Sequence, residues 1–394
     1  MKQGASTGNK GDRIRSDCQV HLQVQEKGGI DIRLHSKVER MFGEQIRKQA
    51  LEVLEALGVS HASLDIEDSG ALPFVIAARI EAAVKQLKAT DRSWIPPVIE
   101  QNRYESSRER FRFSRLYLPG NSPSMMLNAG IHQPDGVILD LEDSVAPDRK
   151  AEARLLVRNA LSQVDFYGAE RMVRINQLPA GLEDLDEVVP QHLHLVLLPK
   201  CEHGSQVEEV VERIQVILKA HDQEREIFLM PIIESALGVE NAFEIASASQ
   251  SVVAMAIGLE DYTADLGVRR TETGEESLYA RTRLVNACKA AGIQPIDSVY
   301  SDVANMEGLL KNVETSRALG FEGMGCIHPR QVPVIHKAFV PTGEEIEKAR
   351  RIVEAFEAAE ASGSGVVALG NKMIDPPVVK RAQKTIDLAN KLNT

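Results

Sequence analysis

Ionisable residues stand at the ends of a series of short apolar runs in the middle of the chain. They are Glu142, Asp143, Arg174, Lys200, Glu234, Asp261, Asp297 and His328. Carboxylates suit hard cations such as Mg²⁺, whereas guanidinium and ammonium groups bind anionic oxygens. Gathered at one surface, these residues would equip a metal-assisted enzyme that acts on an anionic substrate.

Glu234 and Asp261 are the predicted metal ligands, because they end two consecutive apolar runs. Two carboxylates without a nearby His or Cys cluster suit Mg²⁺, which keeps waters or substrate oxygens in its shell. Either acid alone could instead cap a helix or form a salt bridge.

Arg174 ends another run, where its guanidinium could hold a carboxylate in a bidentate fork. The alternative is a structural ion pair with Glu142 or Asp143, and the two roles are compatible. Lys200 could contact a phosphate or carboxylate, or pair with the acidic residues. His328 could be a hydrogen-bond donor or a buried packing residue.

Three segments carry weaker signals. Asp297 and Ser298 follow the seventh run and are expected to support the site from behind. The Gly120–Ser124 loop lacks a full P-loop or dinucleotide fingerprint, so it is weak evidence for phosphate binding. An arginine-rich stretch reads as a solvated linker or, alternatively, as a phosphate-binding patch; it contains Arg103, Arg108, Arg110 and Arg112.

The elements that must position these side chains are the apolar runs themselves. They span Arg115–Leu118, Val137–Leu141, Met172–Ile175, Leu195–Leu198, Ile227–Ile233, Val252–Ile257, Ile293–Ile296 and Met324–Ile327. Helical stretches separate them, and strand–helix alternation indicates a parallel sheet. Eight such units predict an α/β fold, the (β/α)8 TIM barrel, whose active site lies at the C-terminal ends of the strands.

The whole chain is predicted to have five segments: a flexible N-terminus (1–15), a small α+β domain (16–88), a linker (89–113), the barrel (114–340) and a C-terminal helical extension with a lid segment (341–394). In the small domain, alternating runs on both sides of a Glu-Lys-Gly-Gly turn predict a β-hairpin. A helix, a third strand and a helix over 72–87 follow. A Gly/Ser turn separates the two C-terminal helices.

Composition narrows the class of protein. The 46 basic and 57 acidic residues give a net charge of −11, which argues against non-specific nucleic-acid binding. The four cysteines are far apart and form no C-x-x-C motif, a pattern typical of reduced thiols in a cytoplasmic protein. No signal-peptide core and no membrane-length apolar stretch is expected.

The barrel region, about 114–390, resembles the citrate lyase beta subunit group of HpcH/HpaI-type aldolases and acyl-CoA lyases. The matching segments are Arg115-Leu-Tyr-Leu-Pro-Gly-Asn-Ser-Pro, Ile138-Leu-Asp-Leu-Glu-Asp-Ser-Val-Ala-Pro, Val173-Arg-Ile-Asn, Leu198-Pro-Lys, Ile233-Glu-Ser-Ala, Gly258-Leu-Glu-Asp, Ile296-Asp-Ser-Val, Cys326-Ile-His-Pro and Met373-Ile-Asp-Pro-Pro.

This resemblance implies roles for particular residues. Glu234 and Asp261 would bind Mg²⁺, Arg174 would hold substrate oxygens, and the Glu142-Asp143 pair would order metal-bound waters. From their positions at the strand ends, Lys200 and His328 are also predicted to contact substrate. Asp375 would serve as acid/base on a C-terminal segment that reaches a neighbouring subunit, which implies a homo-oligomer, a trimer or hexamer.

Residues 16–88 resemble the citrate lyase acyl carrier (gamma) subunit, in Ser16-Asp-Cys, Gly28-Gly-Ile-Asp-Ile, Val38-Glu-Arg-Met-Phe-Gly, Val53-Leu-Glu-Ala-Leu-Gly, Asp68-Ser-Gly-Ala-Leu and Ala78-Arg-Ile-Glu-Ala-Ala. The family's Gly-Ala-Leu-Asp pattern departs here, because Pro73 follows Leu72. The resemblance implies a phosphoribosyl-dephospho-CoA arm on Ser16, and that the two subunits are fused in this chain.

The expected activity is Mg²⁺-dependent cleavage of citryl thioester to acetyl thioester and oxaloacetate, with an acyl-transferase subunit as a partner. A first alternative is a lyase for free malyl-CoA, citramalyl-CoA or a related thioester, with an unmodified carrier-like domain. A second is a carrier and assembly subunit of a citrate lyase-type complex whose barrel is a weak catalyst alone.

Overall fold

The computed structural model describes residues 4–361, 367–369 and 372–392. The N-terminal part of the chain forms a four-stranded sheet, in the order β1-β2-β4-β3, with two helices. Its elements are β1 (Ala5–Gly8), β2 (Cys18–Val24), β3 (Ile30–Ser36), α1 (Glu39–Ala56), β4 (Ala62–Asp68) and α2 (Pro73–Leu87).

The predicted hairpin between the first two strands of this domain is wrong. Strand β4 lies between them, antiparallel to β2 and parallel to β3. Helix α1 connects β3 to β4, and such a crossover brings the two strands together as a parallel pair. Alternation of apolar residues identified the strands, but it carries no information about which strands pair.

The prediction of a flexible segment over 1–15 is also wrong in part. Residues Ala5–Gly8 pair with β2, and the Gly8 backbone N–H donates to Glu152 Oε2 at 3.0 Å. Gly8 has φ of +79°, and a Cβ there would lie 1.9 Å from the Cys18 carbonyl oxygen. Main-chain pairing and one glycine hold this strand, so its polar side chains gave no sign of it in the sequence. Residues 1–3 lie outside the described residues.

The second sheet is a closed barrel of eight parallel strands, as predicted. Its strands are β5 (Ser114–Pro119), β6 (Gly136–Asp140), β7 (Glu170–Arg174), β8 (Leu195–Leu198), β9 (Phe228–Ile233), β10 (Ala254–Ile257), β11 (Gln294–Asp297) and β12 (Gly323–Cys326). Strand β12 pairs with β5 and closes the ring. Every residue of β8 and β9 is buried, as expected for strands covered on both faces.

Helices surround the barrel. They are α3 (Pro123–Met126), α4 (Lys150–Gln163), α5 (Gly181–Val188), α6 (Gly204–Ala220), α7 (Ala236–Glu240), α8 (Ala242–Ser247), α9 (Leu259–Asp265), α10 (Leu278–Ala291), α11 (Met306–Leu319) and α12 (Gln331–Phe339). The C-terminal extension contains α13 (Gly343–Ala361), β13 (Val367–Leu369), β14 (Lys372–Ile374) and α14 (Pro376–Leu392). The predicted Gly/Ser turn at 362–366 lies outside the described residues. None of the described helices is long and apolar enough to cross a bilayer.

Three of the four linker arginines bind the N-terminal end of the barrel. Arg112 forms a fully buried fork with Glu170, at 2.7 and 2.8 Å. Arg110 donates to the carbonyls of Asp135 and Gly168, and Arg108 donates to the carbonyl of Gln250. Both interpretations of this stretch, solvated linker and phosphate patch, are therefore wrong for these three side chains, which join strand starts at the opposite end from the predicted site.

Helix α2 joins the N-terminal domain to the barrel, and all its residues from 74 to 84 are buried. One side of α2, including Ile76 and Ile80, packs in the core of the N-terminal domain. The other side, including Phe74 and Ala78, belongs to the hydrophobic cluster that contains the barrel helices. The domain is consequently packed against the barrel over a shared core.

Buried ion pairs reinforce this contact. Arg158 on α4 forms a fork with Glu81 on α2, at 2.9 and 2.6 Å, and both side chains are almost fully buried. Arg79 forms a second fork with Asp17, and its Nη1 lies 3.5 Å from Glu152 Oε1. Because buried charges need partners in fixed geometry, the contacts of Arg158 with Glu81 and of Arg79 with Glu152 fix the register between α2 and α4.

We expect Arg158→Met to lower the free energy of unfolding by about 3 kcal/mol, because it strands the buried Glu81 carboxylate. The effect falls at the low end of the range for broken buried pairs, since Lys85 remains 2.9 Å from Glu81. Urea denaturation measures it. The matched control is Arg33→Met, which removes an exposed pair with Asp65 and should cost less than about 1 kcal/mol. Equal losses in the two variants would contradict the assigned role of the buried pair.

Candidate active site

A cavity of about 810 Å³ opens at the C-terminal ends of the barrel strands. The predicted site residues that line it are Asp143, Arg174, Glu234, Asp261, Asp297, Ser298 and His328. Glu142 and Lys200 join the same group through ion pairs with Arg174 and Asp261. The barrel therefore brings together nine of the predicted residues.

Arg174, the last residue of β7, contacts three carboxylates. Its Nε and Nη2 form a fork with Asp140, each at 2.7 Å, and its Nη1 lies 3.3 Å from Asp143 Oδ2. Nη1 is also 2.7 Å from Glu142 Oε2, but no N–H points along that line, so the contact is an ion pair without a hydrogen bond. These pairs raise the pKa of Arg174 although burial alone would lower it.

Asp140 is the partner that sequence reasoning missed. It is buried, and besides the arginine fork it accepts the backbone N–H groups of Glu142 and Ser144, at 2.9 and 3.2 Å. Burial would raise the pKa of Asp140, but Arg174 lowers it overall. A signal was available, because alternate residues of one strand share a face and Ile138 and Asp140 both point inward.

Glu234 follows β9 and is 6% exposed. Its Oε2 accepts the backbone N–H of Lys200 at 2.9 Å, and Lys200 has the left-handed φ of +48° that this turn requires. Its Oε1 lies against Gly258, where a Cβ would sit 2.4 Å away. The absence of a side chain at Gly258 thus makes room for the Glu234 carboxylate.

The acidic groups around Glu234 outnumber the cations. Lys200 Nζ lies 3.4 Å from Asp261 Oδ1 and 3.9 Å from Glu142 Oε1. Burial, Glu142 and Asp261 raise the pKa of Glu234 to about 8. Burial and Asp143 likewise raise the pKa of Glu142. A cation bound between Glu234 and Asp261 would relieve this repulsion, so the residues present fit the predicted metal.

The donor set also indicates which metal would bind. No group of three His, Cys, Asp or Glu side chains with metal-binding geometry occurs in the part of the chain that the structure describes. Two carboxylates would leave the rest of the coordination shell to waters or substrate oxygens. Mg²⁺ is bound in this way, whereas structural zinc requires a closed set of protein ligands.

His328 and Asp297 differ in their surroundings. His328 is half-buried at the cavity wall, and its Nδ1 accepts the backbone N–H of Arg330 at 3.1 Å, so the neutral ring carries its proton on Nε2. Asp297 is buried and bonded to Arg281 and Ser316. Ser298 Oγ accepts the Leu259 backbone N–H at 3.2 Å. Asp297 and Ser298 thus brace the strand ends.

Asp375 and Ser16 lie outside the cavity lining of this chain. Asp375 precedes α14, and its Oδ1 accepts the Val378 backbone N–H at 3.1 Å. Ser16 is half-buried, has a left-handed φ of +56°, and donates its backbone N–H to the Ser69 carbonyl. The structure of one chain therefore brings neither residue to the barrel residues described above.

Comparison with known proteins places both parts of the chain among described families. Residues 114–329 match the family model of HpcH/HpaI aldolase/citrate lyase. Residues 10–87 match the model described as malonate decarboxylase delta subunit (MdcD), an acyl carrier family.

Individual relatives match most of the chain. Citrate lyase subunit beta of Haemophilus influenzae is 41% identical over 283 residues, which cover 71% of this chain and 97% of the relative. Mitochondrial citramalyl-CoA lyase of Rattus norvegicus is 32% identical over 333 residues, which cover 80% of this chain and 97% of the relative. The crystal structure of the protein CitE from Mycobacterium tuberculosis, in complex with magnesium, acetoacetate and coenzyme A, has a TM-score of 0.61 at 31% identity and covers 72% of this chain and 100% of its own.

We expect Gly258→Ala to weaken Mg²⁺ binding roughly 10- to 100-fold, because the new Cβ displaces the Glu234 carboxylate. Isothermal titration calorimetry with Mg²⁺ alone measures this. The control is Gly343→Ala, at a glycine whose Cβ would meet open space, and its affinity should equal that of the unmodified protein. Unchanged binding by Gly258→Ala would show that Glu234 is not a ligand.

Proposed function

This chain belongs to the HpcH/HpaI aldolase/citrate lyase family, and from that premise we propose that it is a Mg²⁺-dependent carbon–carbon lyase that cleaves citryl thioester to acetyl thioester and oxaloacetate. Its N-terminal domain is the acyl carrier. The observation that supports this most directly is the meeting of Arg174, Glu234 and Asp261 at one cavity beside an acyl-carrier-like domain.

The reaction breaks the bond between the hydroxyl-bearing carbon and the methylene next to the thioester carbonyl. The hydroxyl gives its proton to a base and becomes the ketone of oxaloacetate, while the methylene takes the electron pair of the broken bond as an enolate and is then protonated. Mg²⁺ held by Glu234 and Asp261 would supply Lewis-acid polarisation of the substrate hydroxyl and of the neighbouring carboxylate.

Arg174 orients the substrate. Its fork with Asp140 fixes the plane of the guanidinium, and its contacts with Glu142 and Asp143 face the cavity. A guanidinium held in this way stabilises the negative charge on the substrate hydroxyl oxygen as it loses its proton, before the carbon–carbon bond breaks. Glu142 and Asp143 order the waters around the cation, and Lys200 and His328 contact the substrate carboxylates.

Asp375 protonates the enolate that forms in the barrel of a neighbouring subunit. In its own chain it caps α14 away from the cavity, so this role requires a homo-oligomer, a trimer or hexamer, in which the C-terminal extension reaches the next barrel. The acyl group comes from a partner acyl-transferase subunit. The four buried free cysteines agree with a reducing, cytoplasmic location.

Ser16 carries the phosphoribosyl-dephospho-CoA arm. Its neighbour Asp17 is bound by Arg79, and Arg79 Nη2 also donates to the Asn121 carbonyl at 3.3 Å. These links keep Ser16 within roughly 17 Å of Asn121, two residues beyond the cavity-lining Pro119. A thioester on an arm of CoA length would reach this cavity from its own chain, at a high effective concentration.

A second candidate is a lyase for free citramalyl-CoA or malyl-CoA, with an unmodified N-terminal domain. It is supported by the 32% identity to citramalyl-CoA lyase and by the coenzyme A bound to the CitE protein. A third candidate, a carrier and assembly subunit with a weakly active barrel, would show itself by copurification with an acyl-transferase.

We expect Arg174→Lys to lower kcat/KM, because an ammonium cannot reproduce the planar fork. The decrease should correspond to a loss of roughly 1.5–3 kcal/mol in transition-state binding. Steady-state kinetics with citryl thioester measure the loss. The melting temperature is recorded alongside, since the fork with Asp140 also changes. An unchanged kcat/KM would leave Arg174 with a purely structural role.

We expect Ser16→Ala to abolish acyl loading while the barrel still cleaves a thioester supplied in solution. Mass spectrometry of protein from its native host should show the added mass of the arm on the wild-type chain and no added mass on the variant. Ser16→Asn is a second variant, because Asn tolerates the left-handed backbone found here, and Ser69→Ala is the control. A bare polypeptide mass for the native protein would favour the free-CoA lyase.

A further inference from the structure

The inner wall of the cavity contains a second arginine that the site described above does not use. Arg115 lies on β5, two residues before Tyr117, and lines the cavity while being only 1% exposed. Two residues of a strand span roughly 6.6 Å, so Arg115 lies one layer of side chains deeper than Tyr117. Ala256 and Gly325 also line the cavity.

Arg115 has no acidic partner among the described residues. Its Nη1 lies 2.9 Å from Met230 Sδ, a weak acceptor, and its Nε is buried without an acceptor. The acid at this end of the barrel, Glu170, is already held in the fork with Arg112. Burial lowers the pKa of Arg115 to about 10, so the guanidinium is still charged at neutral pH.

An unpaired buried charge is costly, and a hydrophobic residue of similar size would usually be more stable. The other cavity arginine, Arg174, already has Asp140 as a counter-ion. Of the two cavity arginines, Arg115 is therefore the one whose guanidinium has unused hydrogen-bond donors. An anionic ligand in the cavity would compensate the cost of its burial.

We propose that Arg115 binds the distal carboxylate of the substrate, the one that the methylene of oxaloacetate carries and that a hydrogen replaces in the methyl group of pyruvate. The inference rests on the proposed lyase function and adds its specificity. Oxaloacetate has two carboxylates. One is bonded to the ketone carbon and would interact with Arg174 and the cation at the rim. The other is separated from the ketone by a methylene and would interact with Arg115. Tyr117 separates the two arginines, with Arg174 5.4 Å from its ring centroid.

Such a site selects against smaller substrates. A cavity built to pair with a charged group rejects analogues that lack it, because the buried protein group is then left unsatisfied. Pyruvate, or the citramalyl thioester that releases it, would leave Arg115 with Met230 alone. The cavity should consequently prefer the citryl over the citramalyl skeleton.

The test compares the binding of oxaloacetate and of pyruvate, each with Mg²⁺, by isothermal titration calorimetry. We expect the unmodified protein to bind oxaloacetate at least roughly tenfold more tightly than pyruvate. Arg115→Met should reduce this ratio to about one, leave pyruvate binding unchanged, and melt at the same temperature or higher. Arg115→Lys should retain part of the preference.

The matched control is Arg171→Met. Arg171 is also a buried strand arginine, but it donates to the carbonyls of His192 and Tyr104, outside the cavity lining. Its loss should lower the melting temperature and leave the binding ratio intact.

Three results would overturn the role of Arg115: no preference for oxaloacetate in the unmodified protein, an unchanged ratio in Arg115→Met, or a destabilised Arg115→Met that loses both keto acids equally. An unmodified protein that binds neither keto acid would instead remove the lyase function on which the inference rests.

Discussion

The burial of helix α2 on both sides is the constraint on which the arrangement of the two domains depends. Its residues 74–84 leave no face for solvent, because one side completes the core of the N-terminal domain and the other packs with the barrel helices. Separating the domains would expose that second face, break the buried fork between Arg158 and Glu81, and remove Glu152 from Arg79. The acyl-carrier-like domain is thus a fixed part of the enzyme, and only an attached arm would need to move.

The active-site end of the barrel is governed by an excess of acid. Asp140 neutralises Arg174. Lys200 then lies between two carboxylates, those of Glu142 and Asp261. Among the described residues, Glu234 accepts a hydrogen bond only from a backbone N–H. The raised pKa of Glu234 expresses the same imbalance. Bound cations stabilise a protein that presents such a site, since they bind the folded state and not the unfolded chain. A cation bound between these carboxylates, as proposed above, would offset the excess of acid.

The sequence predicted the eight barrel strands and the residues at their C-terminal ends, because both follow from short-range patterns of apolar and polar residues. It did not predict the pairing of β4 between β2 and β3, which depends on a helix crossover, or strand β1, which depends on main-chain contacts and Gly8. Asp140 was not predicted because its role depends on a contact with Arg174, which is 34 residues away in the sequence.

The partners of the buried charges could not be predicted either. Arg79, Arg158 and Arg112 find their acids at sequence separations of 58 to 77 residues, and no local pattern encodes such contacts. The linker arginines looked solvated for the same reason. Position within a periodic element can be read from one sequence, whereas the identity of a long-range partner requires the fold.

Among the residues that the structure describes, two buried ionisable groups of the cavity have no counter-ion, Glu234 near the rim and Arg115 deeper in the barrel. Each is unfavourable in the folded chain, and either could be replaced by an apolar side chain with little cost in packing. Their opposite signs divide the cavity into a region that attracts a cation and a region that attracts an anion. The proposed ligands, Mg²⁺ and a dicarboxylate, would satisfy both regions at once. On this proposal the unfavourable burial of the two groups provides selectivity, because a ligand that fails to neutralise one of them leaves its burial uncompensated.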